Sequence, residues 1–158
     1  MEKAIISNSE EIQGGPSAGK VMGSVFWDGK GVVMIEYREH GATITGTLYA
    51  KQIATLRYEI REKRRGKLSK IVLFHQDNAP AYKSAVAMAA IRDAGFDILK
   101  HPPYSPDLVP SDFYLFPRLK EYLRGKKFED DDAVVAAVQD FLSTQDETFF
   151  RNGILSLE

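Results

Sequence analysis

The sequence predicts an α/β fold, a mixed sheet flanked by helices, and three observations carry that prediction. Two apolar, β-branched runs, Val21 to Trp27 and Val32 to Tyr37, are separated by the turn signal Asp28-Gly29-Lys30-Gly31 and read as an antiparallel hairpin. Lys70-Ile71-Val72-Leu73-Phe74 is short, apolar and β-branched, the pattern of a buried strand. Segments with helical spacing lie between and after these runs, an order that builds a sheet with helices packed on it.

The elements follow in chain order. Lys3 to Ser7 contains Ala4-Ile5-Ile6, enough for a short strand at most. Glu10 to Lys20 is rich in glycine and polar residues and reads as a loop. Asp28 is explained as the turn residue of the hairpin, and Trp27 as core. Thr45 suits an N-cap, and Tyr49, Ile53, Leu56 and Ile60 recur at helical spacing in a helix ending near Lys63. A basic cluster, Arg61, Lys63, Arg64, Arg65, Lys67 and Lys70, closes that helix. On charge alone it reads as a solvated end complementing the helix dipole, with a phosphate-contacting patch or a weak nuclear-import signal as the functional alternatives. Tyr82 to Ala94 predicts a helix with Val86, Ala90 and Ile91 on one face and Gly95 closing it. Phe96 to Leu99 predicts a short strand. A turn of helix is expected at 112–115, with Pro117 breaking it and starting a new helix that ends before Gly125. Asp130-Asp131-Asp132 heads the last helix as a cap, and Val134, Val135, Val138, Phe141 and Leu142 form its buried face.

The 158-residue length suits one domain, and 44% apolar residues supply a core. No run is long enough to span a bilayer and none resembles a signal peptide. The absence of cysteine excludes disulfides and thiolate metal sites. A net charge of −1 leaves the distribution of charge, not its sum, as the informative quantity.

Two blocks concentrate the chemistry: His75-Gln76-Asp77-Asn78-Ala79-Pro80, and the proline-studded run from His101 to Asp112. Asp77 lies just past the buried strand, where open α/β sheets place functional groups. Asp112 sits at a helix start behind a stiff loop. Two carboxylates on rigid supports facing one cleft suit a hard divalent cation. His75, two residues before Asp77, would share its face on a strand, as a metal ligand or as an ordinary hydrogen-bonding histidine. Asn78 would orient Asp77 or cap the next helix.

These blocks, with 34 residues between Asp77 and Asp112, resemble the second and third catalytic aspartates of mariner-type transposases. Val21 to Asp28, Gly41-x-Thr43-Ile44-Thr45-Gly46 and Lys126-Lys127-Phe128 resemble the same family, and the resemblance runs from residue 18 to 158. It implies an RNase H-like mixed sheet flanked by helices, with the first strand missing or replaced by residues 3–7. It also implies a non-homologous or disordered leader over 1–19 and a partial transposase catalytic domain over 20–158, truncated at both ends. In that DDE/D family three carboxylates hold two Mg2+ or Mn2+ ions for phosphodiester cleavage and strand transfer. Asp77 and Asp112 match the second and third. Where the first aspartate would stand this chain has Ser9, with Glu10 and Glu11 the nearest acids. Tyr82 stands where the family often has histidine. The expectation is therefore at most one weakly held ion and reduced or absent catalysis.

The alternative is a non-catalytic DNA- or protein-binding module, and a third reading is a remnant with no selected role. The implied partners are DNA, held nonspecifically through Arg61, Lys63, Arg64, Arg65 and Lys67, and a second copy of the chain, in the nucleus. No membrane and no small-molecule substrate is implied. The paired helix-turn-helix modules of such transposases are absent from this sequence, so sequence-specific binding is not expected of it alone.

Overall fold

The computed structural model describes residues 4–15, 18–39, 44–66, 72–76, 80–99 and 109–156. Five strands form one mixed sheet: β1 (Ala4–Gly15), β2 (Ala18–Asp28), β3 (Gly31–Glu39), β4 (Val72–Gln76) and β5 (Phe96–Ile98). Their order across the sheet is β3-β2-β1-β4-β5. The first three run antiparallel as a meander, and β1 pairs parallel with β4, as β4 does with β5. This is the α/β mixed sheet that the sequence predicts.

The first sheet position is filled. β1 is the central strand, and it extends well past the short strand anticipated at residues 3–7. The loop reading of Glu10 to Lys20 is corrected: β1 continues to Gly15, β2 begins at Ala18, and Gly15 pairs with Ala18. Glycine and polar residues are poor strand formers in isolation. Here the antiparallel register with β2, from Ile6 opposite Trp27 to Gly15 opposite Ala18, satisfies the backbone instead.

Each face of the sheet has its own core. On one side α1 (Gly46–Lys63) and α2 (Ala85–Asp93) cover Phe26, Val33, Val72 and Phe74. Thr45 caps α1, its hydroxyl accepting from the Leu48 amide at 3.1 Å, and Tyr49, Ile53, Leu56 and Ile60 are buried as the spacing predicts. α2 is shorter than anticipated. Pro80–Lys83 forms a 3-10 turn, Ser84 is the N-cap, and Ala87 and Ile91 face the core while Val86 is exposed. The buried pair lies one position round the helix from Val86 and Ala90. Gly95 closes α2 with a φ of +80°, a left-handed conformation that favours glycine.

On the other side α3 (Phe116–Leu123), α4 (Asp131–Thr144) and α5 (Glu147–Leu155) cover Val21, Val25 and Trp27. Asp130 caps α4, accepting from the Ala133 amide at 2.8 Å. α5 is an addition to the sequence reading: Asp146 accepts from the Phe149 amide at 2.9 Å and starts it. The anticipated turn at 112–115 and new helix at Pro117 are both present, with no gap between them. Ser111–Leu115 is a π-helical turn running directly into α3, and the Phe116 amide donates to Ser111 O, five residues back. The wider turn leaves Pro117, which has no N–H to give, in the first turn of α3, where none is required.

Tyr37 on β3 has a buried hydroxyl without a hydrogen-bond partner among the described residues, and burial pushes its pKa up to about 12. A raised folded-state pKa leaves stability untouched below the ordinary tyrosine value of about 10 and removes it between there and about 12, where only the unfolded chain sheds the proton. Urea midpoints followed into that alkaline range are expected to fall less steeply for Tyr37→Phe than for the unmodified chain. Parallel curves would contradict this.

Candidate catalytic site

The sequence places Asp77 immediately after β4, so the C-terminal end of that strand is the starting point. Gln76, the last strand residue, is 5% exposed. Its Oε1 accepts from the Tyr49 hydroxyl at 2.8 Å, and its Nε2 donates to Tyr82 O at 3.4 Å. The Tyr49 and Tyr82 rings stack with centroids 4.2 Å apart. One amide side chain thus ties β4 to α1 and to the 3-10 turn on the other side of residues 77–79. Sequence reasoning missed this brace. A glutamine among apolar residues was the only available signal, and its partners are distant in sequence.

β1 lies beside this end. Ile6 is in register with His75 and Ser7 with Gln76, while Ser9 stands opposite Ser24 of β2. β1 also packs against the π-helical turn. That turn is held firmly. Ser111 is fully buried and its hydroxyl accepts from Trp27 Nε1 at 2.9 Å, and Tyr114 donates its hydroxyl proton to Phe149 O at 2.7 Å. The central strand therefore adjoins both β4 and the backbone that bears Asp112.

The anticipated site residues fall as follows. Asp77, Asn78 and Lys67 lie outside the described residues, and Asp112 is described in its backbone alone, the second residue of the π-helical turn. His75 is buried on β4. Val72 and Phe74 face the α1 side, so strand alternation turns His75 to the side of α3, α4 and α5. Ser9 sits in the interior of β1, not in a disordered leader. Tyr82 is a buried member of the brace.

The basic cluster is elsewhere. Arg64 is committed internally: its guanidinium meets the fully buried Asp28 carboxylate at 3.0 Å and 3.1 Å and also donates to Gly31 O at 3.2 Å. Asp28 is the turn residue anticipated, accepting from the Lys30 amide at 2.9 Å, and is in addition half of a buried ion pair. Lys63 donates to Val33 O and pairs with Glu59. Arg61 and Arg65 are exposed. Tyr49 binds Gln76 at one end of α1 and Arg64 binds Asp28 at the other, roughly 22 Å apart at 1.5 Å per residue. A shallow cleft lined by Lys30, Arg64, Gln139, Ser143 and Phe150 opens at that far end.

Among the described residues no three His, Cys, Asp or Glu side chains gather into a metal-holding group, and no helix is long and apolar enough to cross a membrane. The Asp77, Asp112 and Ser9 side chains, which the sequence singles out as donors, lie outside what the structure describes.

Comparison with known proteins finds relatives of this fold. Residues 7–70 match a family described as "Transposase (partial DDE domain)", a match that begins within β1. The Mos1 mariner transposase of Drosophila mauritiana is 30% identical over 140 residues, covering 87% of this chain and 41% of that protein. The human histone-lysine N-methyltransferase SETMAR is 30% identical over 140 residues, covering 87% of this chain and 20% of that protein. The chain therefore spans less than half the length of either curated relative. The solved structure of the Mos1 transposase catalytic domain with Raltegravir and Mg superposes with a TM-score of 0.89 at 27% identity, covering 98% of this chain and 77% of that one. The RNase H-like character of the sheet follows from that likeness.

Proposed function

The chain belongs to the mariner-type transposases, and from that premise we propose that it is a relative of their catalytic core in which DNA contact persists and phosphodiester cleavage is reduced or absent. The observation that carries this reading is Ser9. β1, β4 and the Ser111–Leu115 turn supply the supports of a three-carboxylate site, and the residue in the first carboxylate's place on β1 is a serine.

Asp77 and Asp112 would hold one hydrated Mg2+ or Mn2+, with His75 and Asn78 beside Asp77 to orient it. A bound divalent ion supplies charge stabilisation at a phosphoryl oxygen and an activated attacking water. A neutral hydroxyl in place of a carboxylate removes one charged ligand, and with it the second ion that would balance the leaving oxygen. DNA is the proposed substrate class, bound without sequence preference. A second copy of the chain is the proposed partner and the nucleus the proposed compartment. Arg61, Arg65 and Lys67 supply contacts remote from the site.

The test is cleavage of nicked, transposon-end DNA in Mg2+ or Mn2+. Background cleavage is expected from the unmodified chain, with a gain of about a hundredfold or more in Ser9→Asp that disappears again in Ser9→Asp/Asp77→Ala. Strong cleavage by the unmodified chain, abolished by Asp77→Ala, would overturn the reading.

A further inference from the structure

We propose that the outer row of α3, formed by Tyr114, Arg118, Tyr122 and Lys126 and continued by Arg124 and Lys127, is the surface along which duplex DNA lies against the Asp112 turn. The inference rests on the DNA-binding reading above and deepens it by naming the surface.

Ring and cation recur four residues apart in sequence: Arg118 and Tyr122 are on α3, Tyr114 is in the π-helical turn before it, and Lys126 lies just past its end. Arg118 Cζ lies 3.8 Å from the Tyr114 ring centroid, and its Nη1 donates to Tyr114 O at 3.0 Å. Lys126 Nζ lies 4.5 Å from the Tyr122 centroid. The rings hold both cations in place, so less side-chain freedom is given up when a phosphate binds. Arg118, Arg124, Lys126 and Lys127 are exposed, and none is ion-paired to an acid among the described residues. Glu121 is the only acid on α3.

Position favours this row over the α1 cluster. α3 continues without a break from the turn that carries Asp112, whereas Arg61 to Arg65 lie at the far end of α1 from Gln76. At the α1 end Lys63 and Arg64 already have internal partners. From Asp112 to Leu123 the backbone advances roughly 16 Å at 1.5 Å per residue. That spans about five base-pair steps at ~3.4 Å of duplex axis each. The track has a defined end: Glu129, Asp130, Asp131 and Asp132 are exposed just beyond Lys127 and repel a phosphate backbone.

The experiment measures anisotropy of a labelled duplex at increasing salt with the full chain. Arg118→Glu/Lys126→Glu is expected to weaken binding at least tenfold and to flatten the log–log salt dependence by about two, one for each phosphate no longer neutralised. Arg61→Glu/Arg65→Glu, at contacts remote from the site, is expected to weaken binding less than the α3 pair does. The neutral pair Arg118→Gln/Lys126→Gln, checked by circular dichroism, gives the same direction without charge reversal. If the α1 variant weakens binding as much as the α3 variant, or more, the proposed surface is wrong while the DNA-binding reading stands. If the unmodified chain has no salt-sensitive affinity for duplex, both are wrong.

Discussion

Arg64→Met is expected to destabilise the chain by about 3–5 kcal/mol, the cost of leaving a buried carboxylate without its cation. Asp28 is 0% exposed and meets two guanidinium nitrogens, while the same Arg64 donates to Gly31 O. The pair joins the residue that caps the C-terminus of α1 to the β2–β3 turn, two places far apart in sequence. Removing the cation alone takes from a buried charge the guanidinium that faces it. Arg64→Met/Asp28→Asn should recover much of the loss, since the amide oxygen still accepts from the Lys30 amide and no charge is buried. Urea denaturation of both variants checks this. A loss below about 1 kcal/mol in the single variant, or no recovery in the double, contradicts it.

Trp27→Ala is expected to cost about 3–5 kcal/mol and to loosen the turn that bears Asp112. The indole is fully buried, with ring centroids 6.5 Å from Tyr114 and 5.9 Å from Phe150. It fits directly against the backbone of α5: a Cβ at Gly153 would lie 2.7 Å from Trp27 Cη2. Its Nε1 donates to the buried Ser111 hydroxyl, so truncation both opens a cavity and leaves Ser111 Oγ without that donor. Trp27→Phe keeps most of the volume and loses the hydrogen bond. It should cost less overall while still accelerating amide exchange at residues 111–116. Unchanged exchange there in Trp27→Phe would show that the hydrogen bond does not hold the turn.

Periodicity made the outer parts of the fold legible. The hairpin of β2 and β3, the buried face of α1, its Thr45 cap and the acidic start of α4 are local features, and each follows from spacing and residue type. β1 was not legible past Ser7, because its central place in the sheet depends on β2 on one side and β4 on the other. A strand defined by its neighbours carries little pattern of its own. Val86 shows the complementary limit: Val86 and Ala90 lie one position round the helix from the buried Ala87 and Ile91, a difference that spacing alone does not resolve.

At the site, spacing and residue type singled out Asp77 and Asp112, and the resemblance pointed to Ser9. They did not mark the Gln76–Tyr49–Tyr82 brace, because hydrogen bonds across 27 residues leave no periodic trace. Nor did net basicity separate Arg64, locked against Asp28, from Arg61 and Arg65 in solvent.

The π-helical turn at Ser111–Leu115 holds one residue more than an α-helical turn of the same reach. Excising a single residue there would let the hydrogen bonds close as an ordinary helix over that reach, so the backbone before and after the turn would keep nearly the same relation. The turn is thus a place where the chain can change length by one without re-aiming the acid against the cationic ridge behind it.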